Sequence, residues 1–131
     1  MYEYKIKNLV EVIDGDTVDI EIDLGFDVTI KQRLRLQGID SPESRTRDLT
    51  EKELGLKAKA WLSKKLKQSN LIVQTIKLES SEKYGRMLGV IYKQGEEISI
   101  NEQMINEGYA WFYDGGEKKK DLNLLINKQK R

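Results

Sequence analysis

Residues 17–37 read TVDIEIDLGFDVTIKQRLRLQ, and their alternation decides the fold. From Thr17 to Asp23, Val18, Ile20 and Ile22 fall on one side, and Thr17, Asp19, Glu21 and Asp23 on the other. Side chains alternate in this way along a half-buried strand and not along a helix. From Phe26 to Gln37 the pattern repeats. Phe26, Val28, Ile30, Leu34 and Leu36 share one face, Asp27, Thr29, Lys31, Arg33 and Arg35 the other, and Gln32 is the polar exception on the apolar side. Leu24-Gly25 between the runs suits a hairpin turn. Upstream, Tyr4 to Val12 reads as an earlier strand closed by an Asp-Gly turn at Asp14-Gly15-Asp16. The expectation is a meander of three antiparallel strands.

Working outward, Thr50 and Glu53 have the spacing of a capping box, and Leu49 with Leu54 that of a hydrophobic staple. Leu54, Ala58, Trp61, Leu62 and Leu66 then carry one apolar stripe of a helix to about Lys67. Leu71 to Glu79 and Met87 to Lys93 read as a fourth and a fifth strand. Ser99 and Glu102 form a second capping-box pattern, and Gly108 stands where a helix ends, which predicts a short helix from Ile100 to Glu107. Lys118 to Lys130, with Leu122, Leu125 and Ile126 on one side, predicts a last helix with a solvated basic face. The expected fold is α+β, a five-stranded barrel with about three helices, as a single domain over residues 1–131.

Composition narrows the chemistry. The chain has 131 residues, 23 Lys and Arg against 22 Asp and Glu, and a net charge of +1, so it lacks the strong positive charge of a DNA-coating protein. It has no histidine and no cysteine. That excludes a Ser-His-Asp triad, a thiolate nucleophile and zinc or iron held by nitrogen or sulfur. Any metal has to sit among oxygen atoms, which favours Ca²⁺, Mg²⁺ or Mn²⁺. No stretch approaches the roughly 20 apolar residues of a membrane span, and no basic-then-apolar leader opens the chain. A cytoplasmic monomer without membrane contact is expected, with secretion as the alternative if a leader has been removed.

Three groups of residues carry possible chemistry. Asp14, Asp16, Asp40 and Glu43 lie in two turn-rich segments. Turn carboxylates commonly cap and solvate, but these two segments meet if the strands pair as read. Converging carboxylates repel one another, which argues for a hard divalent ion between them. Arg35 lies at the acidic end of its strand, where a guanidinium can hold a phosphate by two parallel hydrogen bonds; the alternative is a solvated sheet face. Lys83-Tyr84-Gly85-Arg86 is either a plain charged hairpin or a stacking and phosphate-binding element.

Taken together, Ile13-Asp14-Gly15-Asp16-Thr17-Val18, Arg35 leading to Ile39-Asp40-Ser41-Pro42-Glu43, and Lys83-Tyr84-Gly85-Arg86 have the order and spacing of the thermonuclease family. Over about residues 9 to 112 the chain resembles micrococcal (staphylococcal) nuclease-like proteins. The resemblance implies an OB-fold barrel and a Ca²⁺-dependent phosphodiesterase that cleaves DNA and RNA to 3′-phosphate ends; a preference for single strands is expected because a flexible backbone bends into the site at less cost. It implies Asp16, Asp40 and the Ser41 carbonyl as Ca²⁺ ligands, with Asp14 behind them. Glu43 takes the place of the group that directs water, and Arg35 and Arg86 those of the phosphate clamps. Tyr84 is implied at the nucleotide pocket, with Lys83 expected beside it; the family's second pocket tyrosine has its candidates among Tyr109, Trp111, Phe112 and Tyr113, of which Tyr113 is taken as the substrate-binding one. Lys57 stands where the family often has a glutamate. A non-catalytic OB-type nucleic-acid-binding or docking module is the alternative, against which the chain keeps both arginines, Glu43 and the two aspartates; a structural Ca²⁺-binding domain would leave Arg35 and Arg86 without a role.

Overall fold

The computed structural model describes residues 2–75, 87–118 and 120–131. The alternating run at 17–23 forms β2 (Thr17–Asp23) between β1 (Tyr2–Asp14) and β3 (Thr29–Leu36). Both junctions are antiparallel, with Val12 opposite Val18 and Val18 opposite Leu34, so the expected meander is present. Two further strands, β5 (Leu71–Thr75) and β6 (Met87–Lys93), complete a closed barrel in the order β1-β2-β3-β6-β5. The β3–β6 junction is parallel and the other four are antiparallel. With α1 (Leu49–Lys65), α2 (Ile100–Glu107) and α3 (Leu122–Gln129), this is the α+β barrel of OB type that the sequence predicts. Among the described residues no helix is long and apolar enough to cross a membrane.

The core follows the pattern. Val18, Ile20, Leu34, Leu36, Val73 and Ile91 are buried inside the barrel, and Ala58 and Leu62 of α1 join them together with Ile100 and Met104 of α2. Each of these Val, Leu, Ile and Met side chains contributes about 1.5–3 kcal/mol by leaving water, and Ala58 less.

Four local expectations need correction. Phe26, Val28 and Ile30 are exposed, because the β2–β3 hairpin overhangs the barrel and β3 pairs with β6 only from Leu34 onward in the described residues. The turn is not Leu24-Gly25 alone. Leu24 N–H donates to Val28 O at 2.8 Å, and Phe26 and Asp27 take left-handed φ values of 54° and 60°. The cap of α1 is Asp48, whose carboxylate accepts from Thr50 N and Glu51 N, in place of Thr50; Leu49 is exposed and staples nothing. Asp is as good a cap as Thr, and here it leaves Glu51 free to turn inward. Finally, α3 begins at Leu122, capped by Asp121, so Lys118 and Lys120 lie in the loop before it. The cap Ser99 and the left-handed Gly108 (φ 85°) around α2 are as expected.

Asp19 points outward from β2 opposite Arg33 of β3 and is buried beneath it by two hydrogen bonds of 2.8 and 3.1 Å. Those bonds hold the Asp19 carboxyl below the usual carboxylate range, against burial, which acts the other way. A depressed carboxyl pKa adds stability above the unfolded value, and that stability is lost as pH falls through the folded one. Asp19→Asn is therefore expected to lower the urea midpoint at pH 7, and the gap to wild type is expected to narrow below about pH 4. A gap unchanged down to pH 3 would contradict this account.

Candidate active site

Strand pairing assembles the site. Thr17 lies opposite Arg35, and Leu36 N–H donates to Asp16 O at 2.8 Å, so the turn holding Asp14, Gly15 and Asp16 sits beside the end of β3. The chain then reverses at Gln37-Gly38 into β4 (Ile39–Asp40), which pairs with β7 (Trp111–Phe112) and carries Asp40 back toward Asp16. Buried Asn101 of α2 pins that reversal. Its amide donates to Gln37 O (2.9 Å) and Gly89 O (3.2 Å) and accepts from Ile91 N–H (3.1 Å).

The result is a pocket of about 230 Å³ lined by Asp14, Asp16, Arg35, Asp40, Ser41 and Glu43, together with Lys118 and Lys120. The two expected acidic segments therefore do meet. Gly15 makes the approach possible. A Cβ there would lie 2.8 Å from both Ala58 Cβ and Ser41 Cβ, so the turn packs directly between α1 and the second acidic segment.

The Arg35 side chain is nearly buried. It donates to Leu36 O at 3.1 Å and lies 3.5 Å from Asp16 Oδ2 and 3.8 Å from Asp40 Oδ1. Asp16 also accepts from Ser41 N–H (3.2 Å) and the Thr17 hydroxyl (3.0 Å), and Asp14 accepts from the Ser44 hydroxyl at 2.7 Å. Burial pushes the Asp40 carboxyl above its ordinary value; the charge of Asp16 adds to the rise, while Lys118, 3.4 Å away, and Arg35 oppose it. The acids are thus not an unscreened cluster. Arg35, Lys118 and Lys120 are interleaved with them, and among the described residues no three acidic side chains form a group that would hold an ion unaided.

Of the other expected residues, Tyr113 is half-buried and donates its N–H to Gly38 O at 2.9 Å. It does not line the acidic pocket; Lys118 Nζ lies 5.6 Å from its ring. Lys83, Tyr84 and Arg86 lie outside the described residues.

Three residues of the site escape the sequence reading. Lys118 and Lys120 read as a solvated face, but Trp111 Nε1 donates to Asp121 O at 3.0 Å and ties their loop down beside the pocket. Glu51 is buried on the first turn of α1, where its Oε2 accepts from Glu43 N–H (3.0 Å) and Lys120 Nζ (3.1 Å). A signal for it existed: Glu51 stands three and seven residues before Leu54 and Ala58, so the acid continues the apolar stripe.

A family model described as staphylococcal nuclease homologue matches residues 33–131. The chain is 30% identical to an uncharacterized protein of Methanocaldococcus jannaschii, over 98% of this chain and 69% of that protein. It is 32% identical to a micrococcal nuclease of Shigella flexneri, over 80% of this chain and 56% of that protein. A probable staphylococcal-like nuclease of Oryza sativa subsp. japonica is 35% identical over 70% of this chain, which spans 24% of that protein. The chain thus covers about two thirds of the archaeal relative and about half or less of several others.

Proposed function

This chain belongs to the staphylococcal nuclease homologue family, and from that premise we propose that it is a nuclease hydrolysing the phosphodiester backbone of DNA and RNA. One observation carries the reading. A nearly buried guanidinium, Arg35, lies among the carboxylates of the pocket within 4 Å of two of them. A docking module needs no such constellation, and a structural ion site would leave the arginine without a task.

The donor set fits Ca²⁺: every candidate ligand in the pocket is oxygen, and the chain contains no imidazole or thiol. Asp16, Asp40 and the Ser41 carbonyl would hold the ion, with water completing its shell. Bound there, Ca²⁺ supplies neutralising charge beside a phosphate oxygen. Asp14, tied to Ser44, keeps the first acidic turn in place. Glu43, whose side chain is largely exposed at the mouth of the pocket, directs the attacking water and takes its proton. Arg35 gives two parallel hydrogen bonds to the phosphate oxygens as charge builds on them. Arg86 is assigned the second clamp, and Lys83 and Tyr84 the nucleotide side of the site, on the family motif; Tyr113 is placed with them as one of the four aromatics at 109–113. The products carry 3′-phosphates on the same ground.

Residues 1–131 act as one domain and as a monomer in this reading. Single strands are cut faster than stable duplex, since a flexible backbone is bent into a surface pocket at less cost. With a net charge of +1, binding rests on few phosphate contacts and weakens moderately with salt.

The test is to incubate end-labelled single- and double-stranded DNA and RNA with Ca²⁺, Mg²⁺ or EGTA and to analyse the ends. Cleavage to 3′-phosphates in Ca²⁺, little in Mg²⁺ and none in EGTA is expected. Full activity in EGTA removes the metal from the reading, and binding without cleavage replaces it with a docking module.

A further inference from the structure

A buried carboxylate is unfavourable by several kcal/mol unless hydrogen bonds and an opposite charge compensate it. Glu51, only 8% exposed, has both, and each leads to Glu43. Its Oε2 accepts from the Glu43 backbone N–H at 3.0 Å, and the same oxygen accepts from Lys120 Nζ at 3.1 Å. Lys120 Nζ in turn lies 3.4 Å from Glu43 Oε1. One inward-facing acid thus holds the Glu43 backbone directly and its carboxylate through a lysine.

The Glu43 side chain has little else to hold it. It is 61% exposed, and among the described residues Lys120 is its one ionic partner. Burial lowers the Lys120 pKa, but Glu51 and Glu43 together outweigh burial and leave it above the ordinary value. Lys120 is placed by the tie between Trp111 and Asp121, the residue that caps α3.

We propose that Glu51 and Lys120 are positioning residues that set the location of the Glu43 carboxylate for its work on the attacking water. The proposal rests on the reading of Glu43 given above. Lys120 acts through Glu43, not on the phosphate, because its charge is shared between two carboxylates.

Kinetics on a short single-stranded DNA separate the two roles. Lys120→Met should lower kcat about 10-fold and leave KM within about twofold, since a displaced reacting group slows turnover without weakening binding. Lys120→Arg, which keeps the charge, should restore kcat to within about threefold of wild type. Glu51→Gln should fall to the level of Lys120→Met, and the double variant no further, as the two act through one path. Lys57→Met, which removes an exposed lysine paired with Glu53, controls for lost charge and should change neither constant. Urea midpoints verify that each variant is folded.

A large rise in KM at unchanged kcat in Lys120→Met would make Lys120 a phosphate contact and overturn the proposal. Additive losses in the double variant would overturn it too. An active wild type whose kcat is insensitive to Lys120→Met removes this role alone; an inactive wild type removes the hydrolytic reading and this role with it.

Discussion

Arg35→Ala is expected to reduce kcat on single-stranded DNA by about 10²–10³-fold, roughly 3–4 kcal/mol of transition-state stabilisation. Arg35 is the cation fixed at the floor of the pocket, held by Leu36 O and by carboxylates on both flanks. In the proposed reaction Arg35 is already in place when charge develops on the phosphate, and alanine would remove that readiness. The same change should destabilise the metal-free protein by about 3 kcal/mol, because it leaves Asp16 and buried Asp40 facing each other without their shared counter-ion. Arg35→Lys tells charge from geometry. It should recover much of the stability and little of the rate, since an ammonium cannot make two parallel bonds to one phosphate. The checks are steady-state kinetics and urea midpoints in EDTA at unchanged slope. A loss of kcat below about threefold would remove Arg35 from the phosphate-binding role.

Gly55→Ala is the second large expected effect, and it opposes helix propensity. In the interior of an exposed helix this change stabilises by about 1 kcal/mol. Here the added Cβ would lie 2.5 Å from both Glu43 C and Glu43 O and 2.7 Å from Ser44 N. Those atoms are backbone, so relief requires moving either α1 or the segment that carries Glu43. Overpacking of this kind is unfavourable by about 1–3 kcal/mol, which offsets or exceeds the propensity gain. The larger consequence is for rate. A shift of about 1 Å at a reacting group can lower turnover by about 10²-fold, and in the proposed mechanism Glu43 is the group displaced. Thermal unfolding and kcat on the same preparation test this. A variant more stable than wild type with unaltered kcat would mean that α1 does not set the position of Glu43.

The meander was legible because each of its strands keeps one face in the core, and alternation records that directly. β2 and β6 have the predicted bounds, as does α2, where Ser99 and Gly108 mark the ends chemically. Alternation misleads at Phe26, Val28 and Ile30, since it reports which residues share a face and not whether anything covers that face. The two-residue strands β4 and β7 are too short to show any period, yet their pairing brings Asp40 to Asp16.

For the site, the sequence by itself determined the ingredients: an acidic turn at 14–16, a second acidic segment at 40–43, Arg35 between them, and an all-oxygen chemistry imposed by the absence of histidine and cysteine. These are local facts, written in residue types and spacings of a few positions. Only the tertiary structure decided how the acids are compensated. The sequence reading expects four carboxylates repelling one another with Arg35 as the cation beside them, whereas the fold also sets Lys118 and Lys120 among them and turns Glu51 inward beneath Glu43. Lys120 and Glu51 are 69 positions apart, and no propensity or periodicity acts over that distance. Their meeting depends on a tryptophan N–H holding one loop, an aspartate cap starting one helix and a glycine letting that helix touch the chain. Charge pairing in a folded protein is fixed by distances of a few ångströms, and those distances exist only once the barrel has closed.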